Sequence, residues 1–136
     1  MIRIVALALF AALSSASYSM AQDSIPPAAR AALTAAPDQS VLPSFGLSRD
    51  IFCKSTLGSA QQFFRDHGDP ESARSLQADY DRWSSSLGEL MLYGGITESQ
   101  WLSESTRLFN AQGARGQFSY LREITLCSPS FRWRAN

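Results

Sequence analysis

The chain has 136 residues, with 12 basic and 12 acidic side chains and a formal net charge of zero. This balance gives no general attraction to nucleic acid or to anionic membranes, so we expect neither as a partner. The length suits one domain with a modest hydrophobic core.

The first residues have the pattern of an export signal. Arg3 precedes an unbroken apolar run of ten residues, Ile4 to Leu13, and Ser19-Met20-Ala21 fits the small-x-small cleavage rule. The run has about half of the ~20 residues needed to span a bilayer, which argues against a stable membrane anchor. We therefore predict a signal peptide over residues 1–21 and a periplasmic or secreted protein.

Cys53 and Cys127 are the only cysteines. In an exported chain they favour a structural disulfide, since one intramolecular pairing is available. An intermolecular bridge or two free thiols are the alternatives. Because the chain has one histidine and the cysteines are far apart, we expect no zinc site, no other metal site and no cofactor.

Residues 22–45 are rich in alanine and proline, and we expect a flexible lead-in with at most one transient helical turn after Pro27. A helical domain over residues 46–128 follows. Its first helix is predicted to begin near Ser48 as the N-cap and to end at His67-Gly68. Helical spacing gives this helix one apolar stripe, formed by Cys53, Leu57, Ala60 and Phe64.

The second helix has Asp69 as its N-cap and Pro70 at its first position, and it is predicted to continue to Gly94-Gly95. Its apolar positions recur every three or four residues, which predicts a single buried face. These positions are Ala73, Leu76, Tyr80, Trp83, Leu87 and Leu90.

The third helix begins with the sequence pattern of a capping box, with Thr97 at the cap and Gln100 three residues later. It is predicted to end at Gly113. Residues 117–127 allow a helix or a strand by composition. We predict a helix there, because the chain has no second good strand to pair with it.

Short connections between these segments favour antiparallel neighbours. In an up-and-down arrangement the first and last helices lie side by side, which brings Cys53 and Cys127 to the same end. The predicted fold is therefore all-α, a small bundle of about four helices with antiparallel neighbours and one disulfide.

The sequence contains no recognisable catalytic motif. His67 could act as a general base or a weak metal ligand on an exposed turn, but a cationic residue at a helix C-terminus is the simpler interpretation. Asp79 and Asp81 point in different directions on a helix, and no Gly-x-Ser-x-Gly or Ser-x-x-Lys pattern occurs. We predict no catalytic residues and no enzymatic activity.

Residues 129–136 form an arginine- and tryptophan-rich tail. Phe131, Arg132, Trp133 and Arg134 either fold back over the bundle or contact a partner, since tryptophan and arginine are frequent interface anchors. Charge is also uneven, with eight acidic and two basic residues over 66–104 and one acidic and five basic over 105–136. Solvated helix faces are the simpler explanation of that asymmetry.

These features favour a non-catalytic, protein-binding role in the envelope, as an accessory subunit, an inhibitor or an immunity-type protein. The alternative is a carrier that holds a small molecule or lipid between the helices.

Overall fold

The computed structural model describes residues 25–134, and within this range it contains seven α-helices and no strand. The predicted all-α class is confirmed. The helices are α1 (Pro27–Thr34), α2 (Leu47–Asp66), α3 (Pro70–Ser75), α4 (Gln77–Tyr93), α5 (Glu98–Ala114), α6 (Ser119–Arg122) and α7 (Ile124–Cys127). A short 3-10 turn, Gln39–Val41, lies between α1 and α2. The predicted signal peptide, residues 1–21, lies outside the described residues.

Helix α2 is the centre of the fold. It packs against α3, α4, α5, α6 and α7, so the apolar side chains on most of its circumference are covered. The predicted stripe is buried, and flanking residues such as Phe52 and Phe63 are buried as well. The largest fully buried side chain of the domain, Phe64, lies near the end of this helix.

Helices α2 and α4 are antiparallel, as predicted. Ser86 of α4 donates a hydrogen bond to Oδ2 of Asp50 near the start of α2, at 2.6 Å. Near the other end of α2, Gln61 donates to Oε1 of Gln77 at the start of α4, at 2.9 Å. Early residues of one helix therefore meet late residues of the other.

The predicted second helix is divided at Leu76. Its start at Asp69 is confirmed, because that carboxylate accepts a hydrogen bond from the backbone N–H of Ser72. The division has an identifiable cause. In a continuous helix the backbone N–H of Gln77 would donate to the carbonyl oxygen of Ala73, but here the side-chain amide of Gln61 donates to that oxygen, at 3.1 Å. The break separates α3 from α4 and leaves Leu76 with no exposed surface.

The first main helix does not use Ser48 as its cap, contrary to the prediction. Gly46, with a φ of 73°, occupies the N-cap position and provides no side-chain cap. Ser48 lies inside the first turn instead, and its hydroxyl donates to Oε1 of Glu104 on α5 at 2.7 Å. The predicted cap residue thus makes a contact between helices.

The capping box of α5 is confirmed. Oγ1 of Thr97 accepts from the backbone N–H of Gln100 at 3.1 Å, and Oε1 of Gln100 accepts from the backbone N–H of Thr97 at 2.9 Å. Both bonds satisfy backbone donors that a helix N-terminus leaves free.

The C-terminal segment is helical, as predicted, but it forms two short helices that meet at Glu123. It runs antiparallel to α2. At one end the ring of Phe118 lies 6.1 Å from that of Phe63, and at the other Cys127 is bonded to Cys53, with the two Cα atoms 5.2 Å apart. The predicted disulfide is confirmed.

The lead-in differs from the expectation of a transient turn. It contains the eight-residue helix α1, which packs against α6. Ala29 has no exposed surface and Ile25 is 6 % exposed, so this segment contributes to the core. The small alanine side chain allows close helix contact, and Arg122 of α6 donates to the carbonyl oxygen of Ala36 at 2.7 Å just beyond α1.

Candidate functional site

The main candidate site is a cleft of about 600 Å³ between α4 and α5, above α2. Both helices pack on α2 but make little contact with each other, which leaves the space between them open. We call this space the aromatic cleft. Its largest apolar lining residues are Phe52, Tyr80, Leu87, Trp101, Leu108 and Phe109.

Gly58 on α2 gives the ring of Tyr80 room to lie against this helix. A Cβ atom at position 58 would be 3.2 Å from Cε2 of Tyr80, closer than most real contacts. Both residues line the aromatic cleft. The glycine in the helix interior therefore has a packing role that offsets its low helix propensity.

Helix α5 is incompletely covered. None of its 17 residues is buried, although four of them are large and apolar. Trp101 and Leu108 are half-buried at the aromatic cleft, whereas Leu102 is 50 % and Phe109 is 74 % exposed. An ordinary core helix buries such side chains, so this surface is available for a ligand or a partner.

The position of α5 on α2 is stabilised by polar contacts. Glu104 accepts a hydrogen bond from Ser48 of α2 and forms an ion pair with Arg107 on its own helix. The arginine and the serine hydroxyl hold the pKa of Glu104 below its ordinary value, because both favour the charged carboxylate. The helix thus stays attached to α2 although its apolar residues are only partly covered.

Among the residues that the structure describes, Lys54 is the one charged residue that lines the aromatic cleft. No hydrogen bond or ion pair joins its ammonium group to another residue in the 25–134 range. Two acidic groups on neighbouring parts of the fold have other partners, since Asp50 accepts from Ser86 and Glu104 pairs with Arg107. The cleft is therefore apolar with one positive charge.

Several uncharged polar residues also line the aromatic cleft, among them Ser55, Ser59, Ser105 and Thr106. Oγ of Ser105 is inaccessible to solvent and has no hydrogen-bond partner among the described residues. The amide of Gln112 is already engaged, because it donates to Glu123 at 3.0 Å. Among residues 25–134, the polar groups that lack a partner at the cleft are therefore hydroxyls and one ammonium group.

The apolar residues of the predicted partner-contact tail pack against the chain itself. Phe131 is 7 % exposed and its ring lies 5.8 Å from that of Phe64. The guanidinium group of Arg30 lies 5.6 Å from the ring centroid of Trp133. These contacts match the alternative in which the tail folds back over the bundle, and they leave Phe131 unavailable to a partner.

The two tail arginines are exposed. Arg132 donates to the carbonyl oxygens of Pro129 and Phe131, at 3.0 and 2.6 Å. Arg132 and Arg134 also line a smaller polar depression of about 510 Å³ that includes Asp69. Because this depression has charges of both signs, it indicates no particular ligand.

His67 lies at the C-terminal end of α2, where the helix-terminal interpretation placed it. Nδ1 of its ring is 2.8 Å from the carbonyl oxygen of Phe63, and the two rings stack with centroids 4.1 Å apart. The carboxylate of Asp79 accepts from Ser128 at 2.5 Å and pairs with Arg82 at 3.2 Å. Within residues 25–134, no group of three histidine, cysteine or acidic side chains is placed to hold a metal ion.

The sequence did not predict the aromatic cleft. Tyr80 and Leu87 had been assigned to an apolar stripe, which periodicity alone associates with a closed core. Two signals pointed to the site: Gly58 inside a helix, and apolar residues on adjacent sides of α5, such as Trp101 and Phe109. Lys54, the only lysine of the chain, carried no signal of its own.

Comparison with known proteins assigns no family to this chain. No protein-family model, curated protein or solved structure matches it. Within the described range no helix has the length and apolar character needed to cross a membrane.

Proposed function

We propose that this chain is a non-catalytic binding protein of the cell envelope and that it carries an apolar small molecule in the aromatic cleft. The observation that carries the proposal is an open space of about 600 Å³, lined by aromatic and aliphatic side chains of three helices. Ligand sites have volumes of about 300–1,000 Å³, an apolar lining and a few polar groups. The disulfide supports an oxidising compartment.

The expected affinity is moderate. If ligand and cleft together remove about 400 Å² of apolar surface from water, the gain is about 10 kcal/mol. Association costs at least about 4 kcal/mol in lost freedom, which leaves at most about 6 kcal/mol. That limit corresponds to a dissociation constant in the tens of micromolar or above, suitable for reversible binding.

A neutral fluorescent probe tests this function. N-phenyl-1-naphthylamine gains fluorescence in apolar sites, and we expect saturable binding at a ratio of one probe per chain. Leu108→Glu places a charge in the aromatic cleft and should abolish binding. Leu102→Glu makes the same change on the same helix outside the cleft lining and should leave binding intact. Absence of saturable binding to the unmodified protein would refute the proposal.

A protein partner is the second candidate, and exposed apolar side chains favour it. Leu92 and Tyr93 at the end of α4 are 77 % and 85 % exposed, and Phe109 on α5 is 74 % exposed. Exposed apolar side chains that lie together frequently mark protein interfaces. A photo-crosslinking residue in place of Phe109 should then give one discrete adduct in the producing cells, and the same residue in place of the exposed Arg74 on α3 should give none.

A further inference from the structure

We infer that the aromatic cleft selects long-chain carboxylates, with Lys54 pairing with the carboxylate and the aromatic side chains contacting the hydrocarbon chain. This inference rests on the proposed function and adds the chemical class of the ligand. It depends on the combination of a large apolar space with one positive charge and no negative charge among the described residues that line it.

Because Lys54 forms no ion pair with any of residues 25–134, its charge can make the cleft selective. An apolar molecule that fills the cleft displaces water from around the ammonium group, and this loss of hydration is unfavourable unless an opposite charge replaces the water. Asp50, one turn before Lys54 on α2, accepts from Ser86, and Glu104 pairs with Arg107; neither forms an ion pair with Lys54. A ligand with a negative group offsets this loss of hydration at the ammonium group itself.

A carboxylate fits the polar groups around Lys54. Its two oxygens accept several hydrogen bonds, and a bond from an ammonium group is stronger than one between neutral groups. Ser55 and Ser59, one turn apart on α2, line the same cleft as Lys54. These hydroxyls provide further donors, whereas a cationic head group would meet a like charge.

The hydrocarbon chain has a matching surface. Trp101, Leu108 and Phe109 of α5 line the cleft from one side, and Tyr80 and Leu87 of α4 line it from the other. A flexible alkyl chain between them would cover side chains that are otherwise partly exposed to water. A short carboxylate such as acetate would lack this contact and should bind far more weakly.

The test compares two probes of equal chain length and opposite charge. Titration calorimetry at low salt, below the aggregation concentration of each probe, measures dodecanoate and dodecyltrimethylammonium. We expect the unmodified protein to bind dodecanoate at least tenfold more tightly, because only dodecanoate complements the ammonium group. Higher salt should reduce this difference.

Variants assign the selectivity to one side chain. Lys54→Met should weaken dodecanoate binding by roughly tenfold, as expected for loss of one charge-assisted hydrogen bond. Lys54→Arg keeps the charge and should retain most of the affinity. Arg74→Met removes an equal charge from an exposed position on α3 outside the cleft lining and should have no effect.

The outcomes separate this inference from the proposed function. Equal affinity for the two probes, or an unchanged affinity for dodecanoate in Lys54→Met, would overturn the inference even if the neutral probe binds. If neither the neutral probe nor dodecanoate binds, the proposed function fails and the inference fails with it. The comparison of probes on the unmodified protein does not depend on the folding of any variant.

Discussion

Replacing Cys53 and Cys127 together by alanine should remove a large share of the free energy of unfolding. The two residues are 74 positions apart, so the bridge closes a loop of about 75 residues in the unfolded chain. The chain-entropy model gives about 4.5 kcal/mol for a loop of about this length. Both residues are also fully buried, so the lost sulfur contacts add to the cost. A domain of this size has about 5–15 kcal/mol in total.

Urea unfolding followed by tryptophan fluorescence measures this effect. With a denaturant slope of about 1.5 kcal/mol/M, a loss of about 4.5 kcal/mol lowers the midpoint by about 3 M. The slope itself should increase, because an unfolded chain without the cross-link exposes more surface. Loss of packing alone would lower the midpoint without this change in slope.

Single variants provide the control. Cys53→Ala and Cys127→Ala each break the same bridge, so each should cost nearly as much as the double variant, which makes the effects strongly non-additive. Treatment of the unmodified protein with reductant should give a similar midpoint. If the oxidised, reduced and double-variant proteins unfolded at the same urea concentration, the reasoning about the cross-link would be wrong.

Three further predictions follow from particular contacts. Gly88→Ala should stabilise the protein by about 0.5–1 kcal/mol, since alanine favours a helix interior and the new Cβ has no neighbour within 4 Å. Gly94→Ala should destabilise the protein, because its Cβ would lie 2.7 Å from a backbone carbonyl oxygen. Thermal unfolding compares the two variants. Arg107 helps to hold the pKa of Glu104 below its ordinary 4.5, so the stability that Glu104 contributes is complete above about pH 4.5 and is lost as the pH falls through the lower folded-state pKa. In urea titrations across this acid range, Glu104→Gln should therefore lose less stability than the unmodified protein. Identical pH profiles of the two proteins would contradict the assignment. Phe64→Ala removes the largest fully buried side chain and should cost about 3–5 kcal/mol in urea unfolding, whereas a cost below about 1 kcal/mol would show that the core is not packed as described.

Local signals in the sequence determined the helical class and two helix starts. Asp69 and Thr97 satisfy backbone donors of the next few residues, so these starts depend only on neighbours in the chain. The disulfide was predictable by elimination, because only Cys53 and Cys127 were available. Antiparallel packing followed from the short connections between helices.

Contacts between residues far apart in the chain decided the helix break and the helix cap that local sequence patterns did not predict. The break before Gln77 depends on a hydrogen bond that the side-chain amide of Gln61 donates from another helix. Ser48 does not cap its helix, and its hydroxyl donates to Glu104 instead. A local pattern contains no information about such partners.

The aromatic cleft has the same origin. Periodicity showed that Tyr80 and Leu87 lie on one apolar stripe, but not how completely neighbouring helices would cover that stripe. Coverage depends on the distance between α4 and α5, which their packing on α2 fixes. The sequence by itself thus determined the helices and their cross-link, and only the tertiary structure decided which apolar side chains, and which single lysine, remain at an open cleft.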